Sequence, residues 1–138
     1  MFFFFPQEIA ARHNCHQALW LHGPDEEITE LGAMNIFALF RKESGQLELV
    51  TPSLESGLIL PGVTRRSVLE LAHQWERVEV TERKLTLKDV LIGAEDGSLV
   101  EMFGTGTAAV INPVGNIFYR GKMVPIPVPS EEVSFANK

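Results

Sequence analysis

The chain has 138 residues, 45% of them apolar, which is enough for one domain with a hydrophobic core. Its formal net charge of −6 argues against general binding to nucleic acid or anionic membranes, while leaving room for a local basic pocket. A single cysteine, Cys15, rules out an intramolecular disulfide framework and a cysteine-rich zinc site, so the chain reads as intracellular.

The opening "MFFFFP" is too short for a signal peptide and has no basic n-region; it reads as core that has lost its neighbours. No apolar run reaches the length needed to span a bilayer. "QEIAARHNCHQ" predicts a short helix and "ALWLHG" an apolar strand, followed by "PDEEITELGA", a loop by composition. "MNIFALFRK" and "LELVTP" flank "ESGQ" as the arms of a hairpin. In "LILPGVTRRSVLELAHQWE" the period changes: Val68, Leu69, Leu71, Ala72 and Trp75 share one helical face, so a helix starts near Thr64. "VEVTERKL" alternates as a half-buried strand does. "TLKDVLIGAEDG" opens on Thr86-x-x-Asp89, a capping-box pattern, and closes on a glycine stop. "LVEMF", "AAVI" and "NIFYRGKMVPI" add strands, the last broken at Arg120-Gly121-Lys122. Strands dominate, with a few short helices and no internal repeat. The class is α+β in a single unit, without the regular alternation of a parallel doubly wound sheet.

Three stretches carry candidate chemistry, and each has a plain structural alternative. "LPGVTRRS" sets Gly62 and Thr64 at a helix mouth, where free N–H groups and the helix dipole favour an anion such as phosphate; Thr64 could equally be an ordinary N-cap. "FGTGTAAV" is either a second anion cradle of glycine-freed N–H groups and threonine hydroxyls or a tight turn between strands, and it is not a P-loop because no Gly-Lys-Ser/Thr follows. Glu30 in "EEITELG" leads into an apolar strand, where a buried carboxylate needs a cationic partner. Asp25, Glu26 and Glu27 read as a solvated acidic loop. His13, His16, His22 and His73 lack ligand spacing. Ser53, Ser56 and Ser67 lie in no nucleophile elbow, so the histidines and serines read as structural.

Taken together, "ALWLHGPDEEITELGAMNIFALF", "LELVTPSLESGLILPGVTRRSVLELA" and "EMFGTGTAAVINPV" resemble the C-terminal half of branched-chain amino-acid aminotransferases, pyridoxal-phosphate enzymes of class IV, or fold type IV. The similarity runs in order from about Gln7 to about Pro127. The related D-amino-acid transaminases and aminodeoxychorismate lyases fit "GAMNIF" less well. The resemblance implies a partial large, cofactor-binding domain over residues 1–138, strand-dominated, with pyridoxal 5′-phosphate as cofactor. Glu30 matches the carboxylate that pairs with the pyridine nitrogen and keeps it protonated. Val63 and Thr64 match the helix-mouth residues holding the phosphate, and Thr105 the hydroxyl that completes that cradle. Thr107 and Ala108 match the turn whose N–H groups receive the substrate α-carboxylate. The implied reaction passes an amino group between Leu, Ile or Val and 2-oxoglutarate in a cytoplasmic or mitochondrial homodimer, with no nucleic-acid or membrane partner.

Departures from the family pattern qualify that expectation. The Schiff-base lysine lies upstream of the segment matched by "QEIAARHNCHQ", and Lys42, Lys84, Lys88, Lys122 and Lys138 match other positions, so no catalytic residue is assigned. The small N-terminal domain has no counterpart, and "VPSEEVSFANK" replaces the expected closing helix. Ala109 and Asn112 stand where mammalian-type members carry a Cys-x-x-Cys redox pair. The alternative is therefore a non-catalytic truncated isoform or fragment that binds pyridoxal phosphate weakly or pairs with full-length subunits. A third reading, unrelated to this family, is a small β-rich module that binds anions generally.

Overall fold

The computed structural model describes residues 11–12, 15–106 and 111–129. The strand β1 (Leu19–His22) pairs antiparallel with β2 (Glu27–Leu31) in a two-stranded ribbon. A five-stranded sheet then collects β3 (Asn35–Arg41), β4 (Leu47–Thr51), β5 (Val78–Glu82), β6 (Leu99–Thr105) and β7 (Ile111–Pro113) in the order β5-β4-β3-β6-β7. A second ribbon joins β8 (Asn116–Tyr119) to β9 (Lys122–Pro125). Two longer α-helices pack on this framework, α1 (Val63–His73) between β4 and β5 and α2 (Leu87–Asp96) between β5 and β6, and a short 3-10 helix (Leu54–Ser56) follows β4. The expected α+β class holds, with one qualification. β4 and β5 run parallel and α1 is their crossover, so the otherwise antiparallel sheet contains one β-α-β step.

Sheet alternation builds two cores. Ile36, Ala38, Val50 and Met102 point to one face with Leu87 and Val90 of α2, Ile28 of β2 and Ile117 of β8. Phe37, Leu39, Leu49 and Phe103 point to the other, against Val68, Leu69 and Ala72 of α1. The Phe37 and Phe103 rings stack with centroids 5.3 Å apart. Both faces of β3 are covered, which explains its unbroken apolar run.

The hairpin expected around "ESGQ" joins β3 to β4, with Gly45 at φ +87° in its turn. The α2 capping box forms as predicted, and Gly97 at φ +83° closes the helix. The strand from "VEVTERKL" and the break at Arg120-Gly121 are also where the pattern put them.

Other expectations need correction. "PDEEITELGA" is not all loop, because Glu27–Leu31 forms β2; its ladder to β1 and the fully buried Ile28 outweigh an acidic composition. The acidic residues before it are not merely solvated. Asp25 pairs with Lys84 at 2.7 Å, and Glu26 accepts a hydrogen bond from the Tyr119 hydroxyl at 2.6 Å. α1 ends at His73, so Trp75 lies beyond it, and Leu71 is exposed although Trp75 still packs on the α1 core. The segments "MFFFFP" and "VPSEEVSFANK", and most of the "QEIAARHNCHQ" helix and of "AAVI", lie outside the described residues.

Candidate functional site

Glu30 is the penultimate residue of β2, and only four residues separate it from Asn35 at the start of β3. A two-residue turn fixes that spacing: Leu31 N–H donates to the Met34 carbonyl at 2.9 Å, and Met34 N–H returns a bond to the Leu31 carbonyl at 2.8 Å. Gly32 takes φ +59° there, and its N–H donates to the Ala18 carbonyl at 2.7 Å. A left-handed φ at this tight position suits glycine because no Cβ opposes it.

Across the sheet Asn35 pairs with Thr105, the last residue of β6. The first half of the Gly-Thr-Gly-Thr stretch is therefore strand rather than turn. Gly104 keeps the ladder while allowing close packing: a Cβ there would meet Leu31 Cδ2 at 3.0 Å and Met34 Sδ at 3.3 Å. Thr105 is 1% exposed, and its hydroxyl has no hydrogen-bond partner among the described residues. A buried hydroxyl without a partner is costly, which makes this oxygen a candidate ligand contact.

The third component is the entry to α1. Gly62, not Thr64, is the N-cap, and no side chain caps the helix. Val63 and Thr64 are its first two residues, so their N–H groups are among the orphan donors of the first turn. Thr64 is half-buried, whereas the Val63 side chain is 76% exposed, leaving its backbone as the part suited to binding. The preceding Leu60 is held from two sides. Glu30 Oε1 accepts its N–H at 3.1 Å, and Asn35 Nδ2 donates to its carbonyl at 2.7 Å. Gly62 approaches Asn35 so closely that a Cβ would lie 2.4 Å from Asn35 Oδ1.

Glu30, Thr105 and the α1 entry with Val63 and Thr64 are thus linked through Asn35 and Leu60, although they come from three distant segments. Glu30 lies on a strand and takes a backbone N–H rather than the cationic partner that sequence reasoning asked for. Thr107 and Ala108 lie outside the described residues. Sequence reasoning assigned no role to Asn35, although it stands in the "GAMNIF" fingerprint, and none to Arg65. The latter is 4% exposed in the first turn of α1, with Nη2 bonded to the Pro52 carbonyl at 3.1 Å and to Glu82 Oε1 at 2.6 Å. This buried cation ties the helix entry to the ends of β4 and β5.

Lys42 follows β3 at the end away from Asn35, roughly 20 Å off by strand rise. It pairs with Glu79, whose hydrogen bond holds the ammonium above its ordinary range. The hydrogen bond from Lys84 to Asp25 acts similarly, raising the lysine and lowering the carboxyl. An open cleft of about 570 Å³ between β1 and β8, lined by Leu19, Leu31 and Ile117 among others, does not include Glu30, Thr64 or Thr105. The convergence of an uncapped helix, an unpartnered hydroxyl and an oriented carboxylate is the better guide to chemistry than cleft size.

A family model described as "Amino-transferase class IV" matches residues 2–117. The chain belongs to the class IV aminotransferases. Within that family it is 52% identical over 114 residues to the cytosolic branched-chain-amino-acid aminotransferase of Caenorhabditis elegans, covering 83% of this chain and 28% of that protein. It is 50% identical over 121 residues to the mitochondrial enzyme of Bos taurus, covering 88% of this chain and 30% of that one. Among solved structures, the Escherichia coli branched-chain amino acid aminotransferase aligns over 91% of this chain and 36% of its own, with TM-score 0.67 and 27% identity. The Thermobaculum terrenum enzyme in its PLP form aligns over 82% and 33%, with TM-score 0.62 and 28% identity. The class IV chain described here therefore spans less than a third of the length of these curated relatives.

Proposed function

We propose that this class IV chain forms the cofactor-holding part of a branched-chain-amino-acid aminotransferase that uses pyridoxal 5′-phosphate. The reading is carried by the Thr105 hydroxyl, buried without a partner among the described residues on the strand that pairs with Asn35, beside the uncapped entry to α1. A phosphate group fits that donor set: orphan N–H groups of Val63 and Thr64, the Thr64 and Thr105 hydroxyls, and the positive end of the α1 dipole. Glu30 suits the other end of the cofactor. The Leu60 N–H fixes one of its oxygens, so the second can accept from a protonated ring nitrogen and keep it protonated. Bound pyridoxal phosphate supplies the electron sink for amino-group exchange. Thr107 and Ala108 are proposed from family resemblance alone to receive the substrate α-carboxylate through their N–H groups. Branched-chain amino acids are the proposed amino donors, on the strength of what the relatives at about half identity are named for, and 2-oxoglutarate as acceptor is proposed from family resemblance alone.

The lysine that carries protons is proposed to come from outside the segments assembled here: Lys42 and Lys84 are ion-paired, and Lys88, Lys122 and Lys138, like them, match other positions of the family pattern. The chain alone is therefore expected to bind cofactor without transaminating valine. The test is equilibrium titration with pyridoxal phosphate, with pyridoxal, and with inorganic phosphate as competitor. Pyridoxal phosphate should bind at least tenfold more tightly than pyridoxal. Thr105→Val should narrow that ratio about tenfold, as loss of one phosphate hydrogen bond predicts. Equal binding of the two compounds would mean that the phosphate is not recognised, and displacement of pyridoxal phosphate by an equal concentration of inorganic phosphate would favour a generic anion site; either result would sink the cofactor assignment.

A further inference from the structure

We propose that Asn35 is a positioning residue, clamping the Leu60 peptide so that Glu30 and the α1 entry keep a fixed separation; its relevance to catalysis rests on the cofactor reading above. Four observations carry it. Asn35 is 7% exposed, so its amide is committed to protein partners. Nδ2 donates to the Leu60 carbonyl at 2.7 Å, while Glu30 takes the N–H of the same residue at 3.1 Å. The backbone of Asn35 is registered with Thr105, whose hydroxyl has no partner among the described residues. Finally, Gly62, the uncapped N-cap of α1, leaves just the space that Asn35 Oδ1 fills, with a hypothetical Cβ only 2.4 Å away.

The carboxylate that faces the ring and the helix mouth that faces the phosphate are thus bridged by one residue. Leu60 contributes its N–H to the first and, two residues on, leads to the second. A rigid cofactor needs both ends presented at one spacing, and an amide that holds the intervening peptide supplies that rigidity without touching the ligand. Glycine at position 62 is explained by the same contact. Its φ of −70° and ψ of 148° suit any residue, so the space, and not the backbone conformation, excludes a side chain.

The experiment reads the clamp directly in the full chain by amide hydrogen exchange and thermal unfolding. Asn35→Ala and Asn35→Asp both remove the donor to Leu60, and Asp keeps the volume. Each should speed exchange of the Leu60 amide by tenfold or more while Leu91 in α2 stays within about twofold. Gly62→Ala should lower the melting temperature by roughly 5 °C in the native background, yet by little in Asn35→Ala, because the obstructing Oδ1 is gone. Unchanged Leu60 exchange in Asn35→Asp overturns the proposal, as does a Gly62→Ala loss that is equal in both backgrounds. Pyridoxal phosphate titration of the same variants separates this from the functional reading. If the native chain fails to bind the cofactor, that reading falls, and the exchange pattern still decides whether Asn35 is the clamp.

Discussion

Tyr119 is the only tyrosine in the chain, so its ionisation can be followed by absorbance without interference from another phenol. Its hydroxyl donates to Glu26, and that hydrogen bond, with the carboxylate charge adding to it, raises the phenol above its ordinary 10.0. A raised folded value means that the fold favours the protonated phenol. The contribution is complete below about pH 10 and is lost as the pH climbs through the folded midpoint. The tyrosinate titration of the folded chain should therefore be centred above 10 and should return to the ordinary value in urea. Glu26→Asn should do the same in the folded state. Asparagine is too short to reach the phenol, and it tolerates the φ of +51° found there. A folded midpoint at 10 in the native chain would deny the contact. At Glu30 the expected effect is on ligand chemistry: Glu30→Gln should weaken binding of the protonated-ring form of pyridoxal phosphate by about tenfold or more, since hydrogen bonds to charged groups contribute roughly 1.5–3 kcal/mol. Competition titration across pH reads this, and an unchanged affinity would remove Glu30 from the ring-nitrogen role.

Among the elements, α2 and β6 show how local grammar and packing divide the work. Thr86 accepts the Asp89 N–H at 3.2 Å, and Asp89 accepts the Thr86 N–H at 3.0 Å, so the capping box satisfies two donors reciprocally. Thr86→Ala should cost about 1 kcal/mol by chemical denaturation, with the m-value unchanged. β6 obeys a different constraint. Glycine weakens a strand, yet Gly104→Ala should destabilise by about 1–3 kcal/mol, because its methyl meets Leu31 and Met34 at 3.0–3.3 Å. A stabilised Gly104→Ala variant would mean that those two side chains yield freely. The helix and hairpin were legible because caps, turns and period are written within a few residues. β2 was not, because its ladder with β1 lies outside any local window.

The whole molecule hangs on β3 and β6, which run together through the centre of the sheet and supply residues to both cores. A lesion in one core should therefore lower the stability of the other. Phe37→Ala removes one ring of the buried stack and should cost about 3–5 kcal/mol, a large part of the stability of a domain this size. The two tryptophans can report on this separately. Trp75 packs against the α1 core, while Trp20 lies in β1, with Nε1 bonded to the Gly32 carbonyl at 3.1 Å. Single-tryptophan variants should give coincident unfolding midpoints, both lowered equally by Phe37→Ala. If only the Trp75 midpoint moved, the two faces would be independent units.

Sequence by itself determined much of this protein: its α+β class, the helices α1 and α2, the β3–β4 hairpin, the strand break at Arg120-Gly121 and the family fingerprints around Glu30, Thr64 and Thr105. Those features depend on periodicity, capping and residue type, which neighbours along the chain express. Tertiary structure decided that the acidic stretch carries β2, that Gly104 and Thr105 continue a strand, and that Gly62 caps α1 for want of space. It also decided what surrounds Glu30. The Leu60 N–H that fixes Glu30 and the Asn35 amide that fixes Leu60 lie thirty and twenty-five residues from their partners. Contacts at that separation are set by how sheet and helix pack, because chain closure brings together groups that no local pattern can pair.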